Sequence, residues 1–560
     1  MDDDLQQRWF ANWGKLVGAK QTYLMEILQD KRLPDQLREL AREPLLLYLL
    51  AAMHRDGELR LEMFEGVEGA RAKILIYEKT LDWVLIKQRP EWLNRQLTAM
   101  ETEGLRRILA EAALCVVQSG GECAALEMVK ERIKDNDSAA RLIEQAHERL
   151  GDDALKNALA AFYLQPSVGD KGGSVEFAHK SFSEFLFAQR LKESLEEWTV
   201  PGRRGEEFLV KNAQMAWEIY DLLGYGGLTP EIVGYLMGLL TTPPTPLGKG
   251  GVRESEFRPV ELFKRLENFY LRWCDGEFID ALQDNYPQKK MSQLQGQGIK
   301  TGVRQVDVYA GLNMLILLLE LNRYAQSRAD LKDKIAFYPC SKPDTESFDN
   351  FRLHRLIGYS DCINSSTFVM VVKSFLSGAY LCNVYLGGAN LKRADLSRVD
   401  FSDAHLVTTY LSGTNLNGAN LKRANLSRAD LSDTHLIAVD LCGADLSSAN
   451  LCGADLSGAN LCGANLCEAN LLAANLINAN LSGAVLIRTI FSEANLINAN
   501  LSGAVLGEAN LCRTDLSGAV LSGTDFHNIL WDEYTTWEGV SGLETLINMP
   551  EAIKQQLGLE

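Results

Sequence analysis

The stretch that decides the fold is ADLSGANLCGANLCEANLLAANL, residues 454–476, in which a leucine returns at every fifth position. The same spacing extends from Leu376 to Phe526, and each of these positions is Leu or Phe without exception. Two residues before each of them, from Ala379 to Thr524, the residue is always Ala, Val or Thr. A period of five is neither the 3.6 of an α-helix nor the 2 of a β-strand, so the pattern indicates a solenoid of short repeats.

The period also predicts how the chain coils. Each five-residue unit forms one side of a coil and points its Leu or Phe inward, together with the small residue before it. Four units complete a coil of 20 residues, and successive coils stack about 4.8 Å apart, the spacing of paired strands. We therefore predict a right-handed quadrilateral β-helix over residues 376–530.

The corners of such a coil need tight turns. Glycines two residues after the Leu, such as Gly378 and Gly463, suit a turn position with positive φ. Arg393 and Glu468 occur at the same phase, which predicts that some corners use another turn type.

The repeat resembles the pentapeptide repeat family, whose pattern A(D/N)LXX occurs here as ADLSG, ANLCG and ANLIN. The resemblance covers residues 376–530 and implies a binding or scaffolding surface rather than an active site. Some members of this family mimic DNA and occupy a topoisomerase. A mimic of that kind needs a dense acidic stripe.

Both ends of a solenoid need cover. After Phe526 the pattern stops, and the aromatic residues that follow are expected to lie over the last coil: Trp531, Tyr534 and Trp537. A short helix is predicted over 543–557. At the other end, the N-terminal half of the chain is expected to act as the cap.

Residues 1–375 have mainly helical patterns. ELAREPLLLYLLAAMHRDG (39–57) has the apolar density of a buried helix, with Pro44 in its first turn, and a second helix is predicted over 70–89. The segment 161–191 predicts a strand, a Gly-rich turn, a strand and a helix. With the helices before it, this order is typical of a winged-helix domain with a β-hairpin wing.

Two of these stretches resemble the NACHT class of signal-transduction NTPases. LAREPLLLYLLA (40–51) resembles the Pro-Leu segment of the helical lid, and FAHKSFSEFLFAQRL (177–191) resembles the winged-helix signature F-x-H-x-S-F-x-E-F/Y-L-x-A. The resemblance covers roughly residues 1–200. It implies that Pro44 packs near a nucleotide and that His179 contacts the β-phosphate of bound ADP. NACHT modules ahead of pentapeptide repeats also resemble an arrangement found in cyanobacterial proteins.

The sequence departs from that class at the phosphate loop. No G-x-x-x-x-G-K-[ST] motif occurs, since GKL at 14–16 and GKG at 248–250 both lack the hydroxyl residue. Without this loop, the backbone N–H groups, the lysine and the Mg²⁺-binding hydroxyl of an ATPase are missing. The chain therefore resembles the part of a NACHT protein that follows the NTPase core, and we expect neither enzymatic activity nor a bound cofactor.

The patterns divide the chain into six segments. A linker rich in Pro and Gly, TTPPTPLGKGG, occupies 241–251. The predicted order is a helical lid-like region over 1–92, a winged-helix-like domain over 93–200, a helical segment with the Pro/Gly linker over 201–251, a helical domain over 252–375, the β-helix over 376–530, and an aromatic cap with a C-terminal helix over 531–560. The domain at 252–375 contains no motif that we recognise.

Charge and hydropathy exclude several functional classes. The net charge of −17 is spread along the chain, and no segment is basic enough for a nucleic-acid-binding surface. The N-terminus lacks the basic start and apolar core of a signal peptide. LNMLILLLEL (312–321) is far too short to cross a bilayer and predicts a buried helix. We expect a cytoplasmic protein without direct nucleic-acid or membrane partners.

Several outward positions of the repeat are candidates for binding. Six of the eleven cysteines lie one residue after the Leu, where serine is the usual residue: Cys382, Cys442, Cys452, Cys462, Cys467 and Cys512. We interpret them as reduced side chains interchangeable with serine, and not as metal ligands. Three asparagines on one face are predicted to form a side-chain ladder: Asn460, Asn480 and Asn500. The early coils are locally basic, which suits an interdomain contact or a ligand: Lys392, Arg393, Arg398, Lys422, Arg423 and Arg428.

Together these patterns favour a non-enzymatic signalling, sensor or scaffold protein that binds a protein partner through its β-helix. A separate NTPase core is a second candidate partner. Pro44 and His179 are cofactor-binding candidates by resemblance only, and no catalytic or metal-binding residue is predicted. Two alternatives stay open. One is a free-standing DNA mimic acting on a topoisomerase. The charge count speaks against it, because residues 376–530 carry 13 acidic and 8 basic residues and their negative electrostatic field is weak. The other is a truncated gene product without a function of its own.

Overall fold

The computed structural model describes most of the chain. The described residues are 8–9, 38, 41–42, 44–64, 67, 70–121, 123–134, 137–151, 154–160, 165–166, 174–177, 180–202, 208–241, 257–283 and 285–557. They divide into two compact units. The first comprises Met1–Leu262 with Asp284–Val306, and the second comprises Phe263–Gln283 with Asp307–Glu560.

The first unit is mainly helical. Its helices are α1 Pro44–Arg55, α2 Ala70–Asp82, α3 Glu91–Thr98, α4 Thr102–Gln118, α5 Leu126–Lys134, α6 Asp137–Leu150, α7 Ala154–Ala160, α8 Lys180–Glu197, α9 Asn212–Leu223, α10 Pro230–Thr241 and, after the excursion of the chain into the second unit, α12 Tyr286–Gly296. Leu61–Phe64 adds a 3₁₀ turn, and a π-helical segment, Trp83–Gln88, continues α2. The predicted helix over 70–89 is therefore confirmed, and that over 39–57 is observed from Pro44 onwards.

Helix α8 forms the centre of this unit. It packs against α4 on one side and against α10 on another. Its sequence has apolar residues around most of its circumference, and Phe182, Phe185 and Phe187 are all buried. The ring of Tyr77 meets that of Phe182 edge-on, with centroids 4.8 Å apart. Apolar side chains on several faces of one helix can all be buried only when other elements surround it.

A small antiparallel sheet precedes α8. Strand β2, Gln165–Pro166, pairs with β3, Ser174–Glu176, as the strand–turn–strand pattern predicts. A third strand, β1 Cys123–Ala125, pairs with the other edge of β3, giving the order β1–β3–β2. The sequence did not indicate β1, because three residues are too few to show an alternating pattern.

The second unit begins with helices. Most of α11, Pro259–Cys274, and of α13, Val303–Gln326, belongs to it, followed by α14 Arg352–Asp361 and α15 Thr367–Val372. The apolar stretch of α13 is buried as predicted. Among the described residues, no helix is long and apolar enough to cross a membrane. Gly311 allows close packing on α11, since a Cβ there would lie 1.9 Å from the ring of Trp273.

Beyond residue 375 the chain forms a ladder of parallel single-residue bridges. Tyr380 pairs with Asp400, and Asp400 with Asn420, so each residue pairs with the one 20 positions further along. The hydrogen bonds alternate in direction: the N–H of Leu461 donates to the carbonyl of Asn480 at 2.7 Å, and that of Asn480 to Ala459 at 2.9 Å. Each coil therefore contains four pentapeptides.

The two repeated columns fill the interior of the coils. Every Leu and Phe of the period from Leu376 to Phe526 is at most 2% exposed, and the Ala, Val and Thr column is similarly buried. The buried threonines are satisfied by the backbone, as where the hydroxyl of Thr489 donates to the carbonyl of Leu466 at 2.8 Å. The predicted inward phase of the repeat is confirmed.

The corners follow one conformation throughout. Gly463 has φ 64°, and Arg393 and Glu468 have φ 58° and 59°. The prediction of another turn type at Arg393 and Glu468 is therefore wrong. The ladder supplies the reason, because the corner N–H of Glu468 donates to Ile487 at 2.9 Å and holds the left-handed conformation that the residue itself disfavours.

The ladder ends later than the sequence pattern does. Asp515 pairs with Thr536 and Asp525 with Ile547, so the last coil carries extra residues but keeps its pairing. The predicted helix over 543–557 is too long, since the structure has a 3₁₀ turn at Leu543–Thr545 and a helix, α16, only over Glu551–Leu557. Pro550 accounts for the late start, because the residue before a proline is biased away from helical conformation.

The aromatic residues of this end do not act as one layer. Trp537 is 9% exposed and its ring centroid lies 6.1 Å from that of Phe526. Tyr534 is 62% exposed, and the guanidinium of Arg513 lies over its ring. The predicted cover over the last coil therefore comes from Trp537 and not from Tyr534. Ile553 of α16 is fully buried as well.

Candidate interaction surface and buried charge cluster

The outward Asn and Asp residues form ladders along the solenoid. The side-chain amide of Asn480 donates to Asn460 at 3.0 Å, and that of Asn500 donates to Asn480 at 3.3 Å. Asn460 in turn donates to Asp440 at 3.1 Å. The predicted asparagine ladder is confirmed. Because these groups already bond to one another, they stabilise the stacking of the coils.

Three of the six basic residues of the early coils pair with acidic residues of the solenoid itself: Lys392, Lys422 and Arg423. Arg423 forms a bidentate pair with Asp403, with both N–O distances 2.7 Å. The amino group of Lys422 lies 2.9 Å from Asp440. From the sequence, we expect these basic residues to take part in an interdomain contact or to bind a ligand. In the structure, the paired ones are neutralised by carboxylates of nearby coils. Such exposed pairs contribute little to stability, because solvent screens them.

Opposite charges also alternate at the corners of the later coils. Arg488 lies between Glu468 and Glu508, at 3.8 Å and 2.8 Å respectively. At another corner, Arg513 lies 3.5 Å from Glu493. The acidic residues are thus interrupted by arginines and do not form a continuous stripe.

A small apolar patch lies beside the first of these charged corners. Val485 and Val505 occupy neighbouring coils in one column and pair through the ladder. Ile487, two residues after Val485, is 37% exposed. We call these three residues the valine–isoleucine patch. Apolar residues at outward positions interrupt columns that elsewhere contain Asn, Asp and Ser.

The phased cysteines lie on the surface, half-buried and without disulfides. Cys442 and Cys462 differ from the other four because they occupy neighbouring coils of the same column. Partial burial and contact with the Cys462 thiol raise the pKa of Cys442. The sequence contains a signal for this pair, because the two cysteines are separated by one coil of 20 residues.

A cluster of charged side chains is buried in the first unit. Glu111 on α4 accepts hydrogen bonds from Arg132 and Arg190, each at 2.8 Å. Asp221 on α9 binds the Lys290 amino group at 3.0 Å and also pairs with Arg132. Glu111 is fully buried and Lys290 is 1% exposed. Five helices, α4, α5, α8, α9 and α12, each contribute one of these charges.

Charge pairing outweighs burial at both carboxylates. Burial opposes the ionisation of Glu111, but Arg132 and Arg190 lower its pKa below the usual value. Burial likewise opposes the ionisation of Asp221, and Arg132 and Lys290 lower its pKa. Sequence reasoning missed this cluster because its members are far apart in the chain and share no spacing. Since the five side chains bind one another, the cluster fits a structural role.

The structure does not test the two nucleotide-binding candidates. His179 lies outside the described residues. Pro44 begins helix α1, but its side chain lies outside what the structure describes. Among the described residues there is no group of three or more His, Cys, Asp and Glu side chains that would hold a metal ion.

Comparison with known families assigns the solenoid. The Pentapeptide repeats family matches the chain at 376–413, 409–447, 444–483, 469–507 and 489–528. Residues 376–528 are pentapeptide repeats. A comparison of the chain with curated protein sequences gave no significant match.

Solved pentapeptide repeat structures resemble the same region. HetL from the cyanobacterium Nostoc sp. strain PCC 7120, involved in heterocyst differentiation regulation, is 27% identical over 30% of this chain and 90% of its own, with a TM-score of 0.13. Another Nostoc PCC 7120 pentapeptide repeat protein is 32% identical over 22% of this chain and 85% of its own, with a TM-score of 0.15. QnrB1, a plasmid-mediated fluoroquinolone resistance protein, is 21% identical over 33% of this chain and 92% of its own, with a TM-score of 0.21. The TM-scores are low, so we rest the assignment on the repeat pattern and the ladder.

Proposed function

We propose that the pentapeptide solenoid is the protein-binding surface of a non-enzymatic, cytoplasmic signalling or scaffold protein, and that its coil is a right-handed quadrilateral. The observation that supports the binding role is the difference between the inward and the outward positions of the repeat. Leu and Ala columns fill the interior, so the variable chemistry of the repeats lies on the outside. The 20-residue ladder places these outward residues at fixed positions, which lowers the entropy lost on binding.

The valine–isoleucine patch is the centre we propose for this surface. Val485, Ile487 and Val505 present apolar area on a rigid backbone, with the Arg488–Glu508 ion pair at its edge. Protein interfaces commonly combine an apolar centre with a polar rim. The partner that fits is a protein segment with apolar side chains and charges of both signs around them.

For the helical unit we propose the lid and winged-helix region of a NACHT-type protein. Its support is the order of elements: α4, β1, α5, α6, α7, then β2 and β3, with β1 beside β3. This is the order in which a winged helix places its helices ahead of a β-hairpin wing. A separate NTPase core is the partner that this proposal implies for the helical unit.

A DNA mimic on a topoisomerase is the second candidate. The interrupted charge columns speak against it, because Arg488 and Arg513 lie among the acidic residues of the later coils. Mimicry of a phosphate backbone requires a continuous negative field.

Reconstitution with a purified partner tests the proposed surface. The full chain would be used to identify a partner in the source cells, and the complex would be rebuilt from the two purified proteins. Its affinity would be measured by calorimetry for the parent chain and for an Ile487→Glu variant. Ser482→Glu, on a neighbouring side of the solenoid and outside the patch, is the matched control.

We expect a stoichiometric complex that Ile487→Glu weakens at least about 10-fold, while Ser482→Glu leaves it unchanged. An equal effect of both variants, or none, would contradict the proposed surface. The full chain is also expected to leave the supercoiling activity of gyrase unaffected. Inhibition at a stoichiometric concentration would favour the DNA-mimic candidate instead.

A further inference from the structure

The stacking of coils brings two thiols together on one side of the solenoid. Cys442 and Cys462 each follow an inward Leu, in consecutive coils. The N–H of Gly443 donates to the carbonyl of Cys462 at 2.9 Å, which fixes the two residues in register. Both are half-exposed and neither forms a disulfide. Solvent therefore reaches a pair of thiols held by a rigid backbone.

The ladder sets the separation of the two residues. Neighbouring coils lie about 4.8 Å apart. An ion held linearly by two sulfurs, with bonds of about 2.3 Å on each side, spans about 4.6 Å, so two stacked thiols can bridge an ion without a change in the ladder. The same spacing lies within the Cα separations of about 4.4–6.8 Å that a disulfide accepts, so a disulfide is the competing product that the test has to separate.

The surroundings narrow the choice of ion. The residue in the next coil of the same column is Ser482, and the third cysteine of the column, Cys382, lies three coils before Cys442, so the pair has no further thiol beside it. No cluster of three or more metal-binding side chains occurs among the residues that the structure describes. Structural zinc requires four ligands, whereas soft thiolates select Cu(I). Lys422, one coil before Cys442, pairs with Asp440 at 2.9 Å, so these two charges balance each other beside the thiols.

We propose that Cys442 and Cys462 form a two-thiolate site for a soft monovalent metal ion, of which Cu(I) is the chemical type. Binding forms two sulfur–metal bonds and releases the two thiol protons to solvent. Neither the sulfur atoms nor the ion changes oxidation state. The site lies apart from the valine–isoleucine patch and does not depend on the protein-binding role proposed for the solenoid.

Anaerobic titration of the reduced full chain with Cu(I), in competition with a chromophoric Cu(I) chelator, tests the site. Every protein in the test carries Cys123→Ser and Cys362→Ser, because these two thiols are exposed and would bind Cu(I) separately. In this background, Cys442→Ser and Cys462→Ser are compared with Cys452→Ser and Cys512→Ser. The last two are phased cysteines without a cysteine in the neighbouring coil of their column.

We expect one equivalent of tightly bound Cu(I), with an affinity that falls at least about 100-fold in either Cys442→Ser or Cys462→Ser, because a single thiolate lacks the effective concentration of a linked pair. Cys452→Ser and Cys512→Ser should leave the affinity unchanged. Serine is the common residue at this phase, so circular dichroism should show the same fold in all four. Equal affinity in Cys442→Ser and the controls would overturn the proposal. So would a Cys442–Cys462 disulfide formed readily in dilute peroxide by a protein that binds no Cu(I).

Discussion

The backbone N–H of Tyr385 donates a 2.8 Å hydrogen bond to the carbonyl of Asn350. Tyr385 lies in the first coil. In later coils the equivalent N–H donates to a carbonyl of the preceding coil, but the first coil has no preceding coil, and Asn350 supplies the acceptor instead. Asp395, on another side of that coil, donates in the same way to Lys373 at 3.0 Å. Residues 350–373 therefore cover part of the open edge of the ladder, which would otherwise be a template for pairing with another chain.

Removing the ring beside this contact should loosen the first coil. The Phe351 ring packs on that of Tyr385 with centroids 4.5 Å apart, and such aromatic pairs contribute about 0.5–1.5 kcal/mol. We expect Phe351→Ala to lower stability by about 1 kcal/mol and to raise hydrogen exchange at the amides of 380–396. Leu282→Ala, at a fully exposed side chain of the same unit, should change neither. Equal exchange in both variants would count against the cap.

The uniform left-handed corners make the sign of a glycine substitution predictable. Ala438 and Gly458 occupy the same corner in consecutive coils, with φ 55° and 65°. A Cβ at Gly458 would meet no atom within 4 Å, so only backbone strain opposes it. Gly458→Ala should destabilise by about 0.5–1 kcal/mol, which is the left-handed strain of an L-residue less the entropy that glycine loses on folding. Ala438→Gly should stabilise by a similar amount for the same reason. Chemical denaturation measures the stability of both variants. A stabilising Gly458→Ala or a destabilising Ala438→Gly would contradict the left-handed conformation of the corners.

Inward and outward positions should differ in their tolerance of bulk. Ala464 is fully buried, and Ala464→Leu should cost about 1–3 kcal/mol or more by overpacking. Asn465, the next residue, donates to Asp445 at 3.0 Å, so Asn465→Leu should cost about 1 kcal/mol for the lost hydrogen bond. Val485→Leu, outward and one coil further on, loses no such bond and should be close to neutral. A larger loss in Val485→Leu than in Ala464→Leu, by chemical denaturation, would refute the inward phase.

The buried charge cluster predicts acid sensitivity of the helical unit. Because the folded pKa values of Glu111 and Asp221 are lowered, their contribution to stability is complete above the unfolded value of about 4. It is lost as the pH falls below that value. The protection factors of the α4 amides, which correct hydrogen exchange for its intrinsic pH dependence, should therefore fall steeply below about pH 4, while the arginines stay charged.

Glu111→Gln should remove much of this pH dependence and cost about 3–5 kcal/mol at pH 7, since it leaves Arg132 and Arg190 buried with a lost counterion. Glu101→Gln, at an exposed ion pair with Arg95, should cost less than about 1 kcal/mol. A flat pH profile in the parent chain would show that the cluster contributes little.

The missing phosphate loop predicts weak nucleotide binding. This chain should not hydrolyse ATP, and its affinity for ADP should be weaker than micromolar, because the groups that hold the phosphates are missing. Isothermal calorimetry with the full chain measures the affinity. Micromolar binding of ADP that His179→Ala abolishes would restore the nucleotide-sensor role to this residue.

The sequence by itself determined the solenoid and the phase of its columns. A five-residue period carries its own redundancy, since each unit makes the same contacts as the next and 31 consecutive inward positions from Leu376 to Phe526 agree. The buried helix around Leu315 was predictable for a related reason, because a long apolar stretch has few ways to avoid water. In these parts local pattern and tertiary environment coincide.

Only the tertiary structure decided the rest. The left-handed corner at Arg393 follows from a hydrogen bond to the next coil, against the preference of the residue. The pairing of Glu111 with Arg190 joins helices 79 residues apart, and the contact of Gly311 with Trp273 depends on how two helices cross. Non-repeating contacts of this kind leave no periodic trace in the sequence, because each is made once and its partners are chosen by the packing of whole elements.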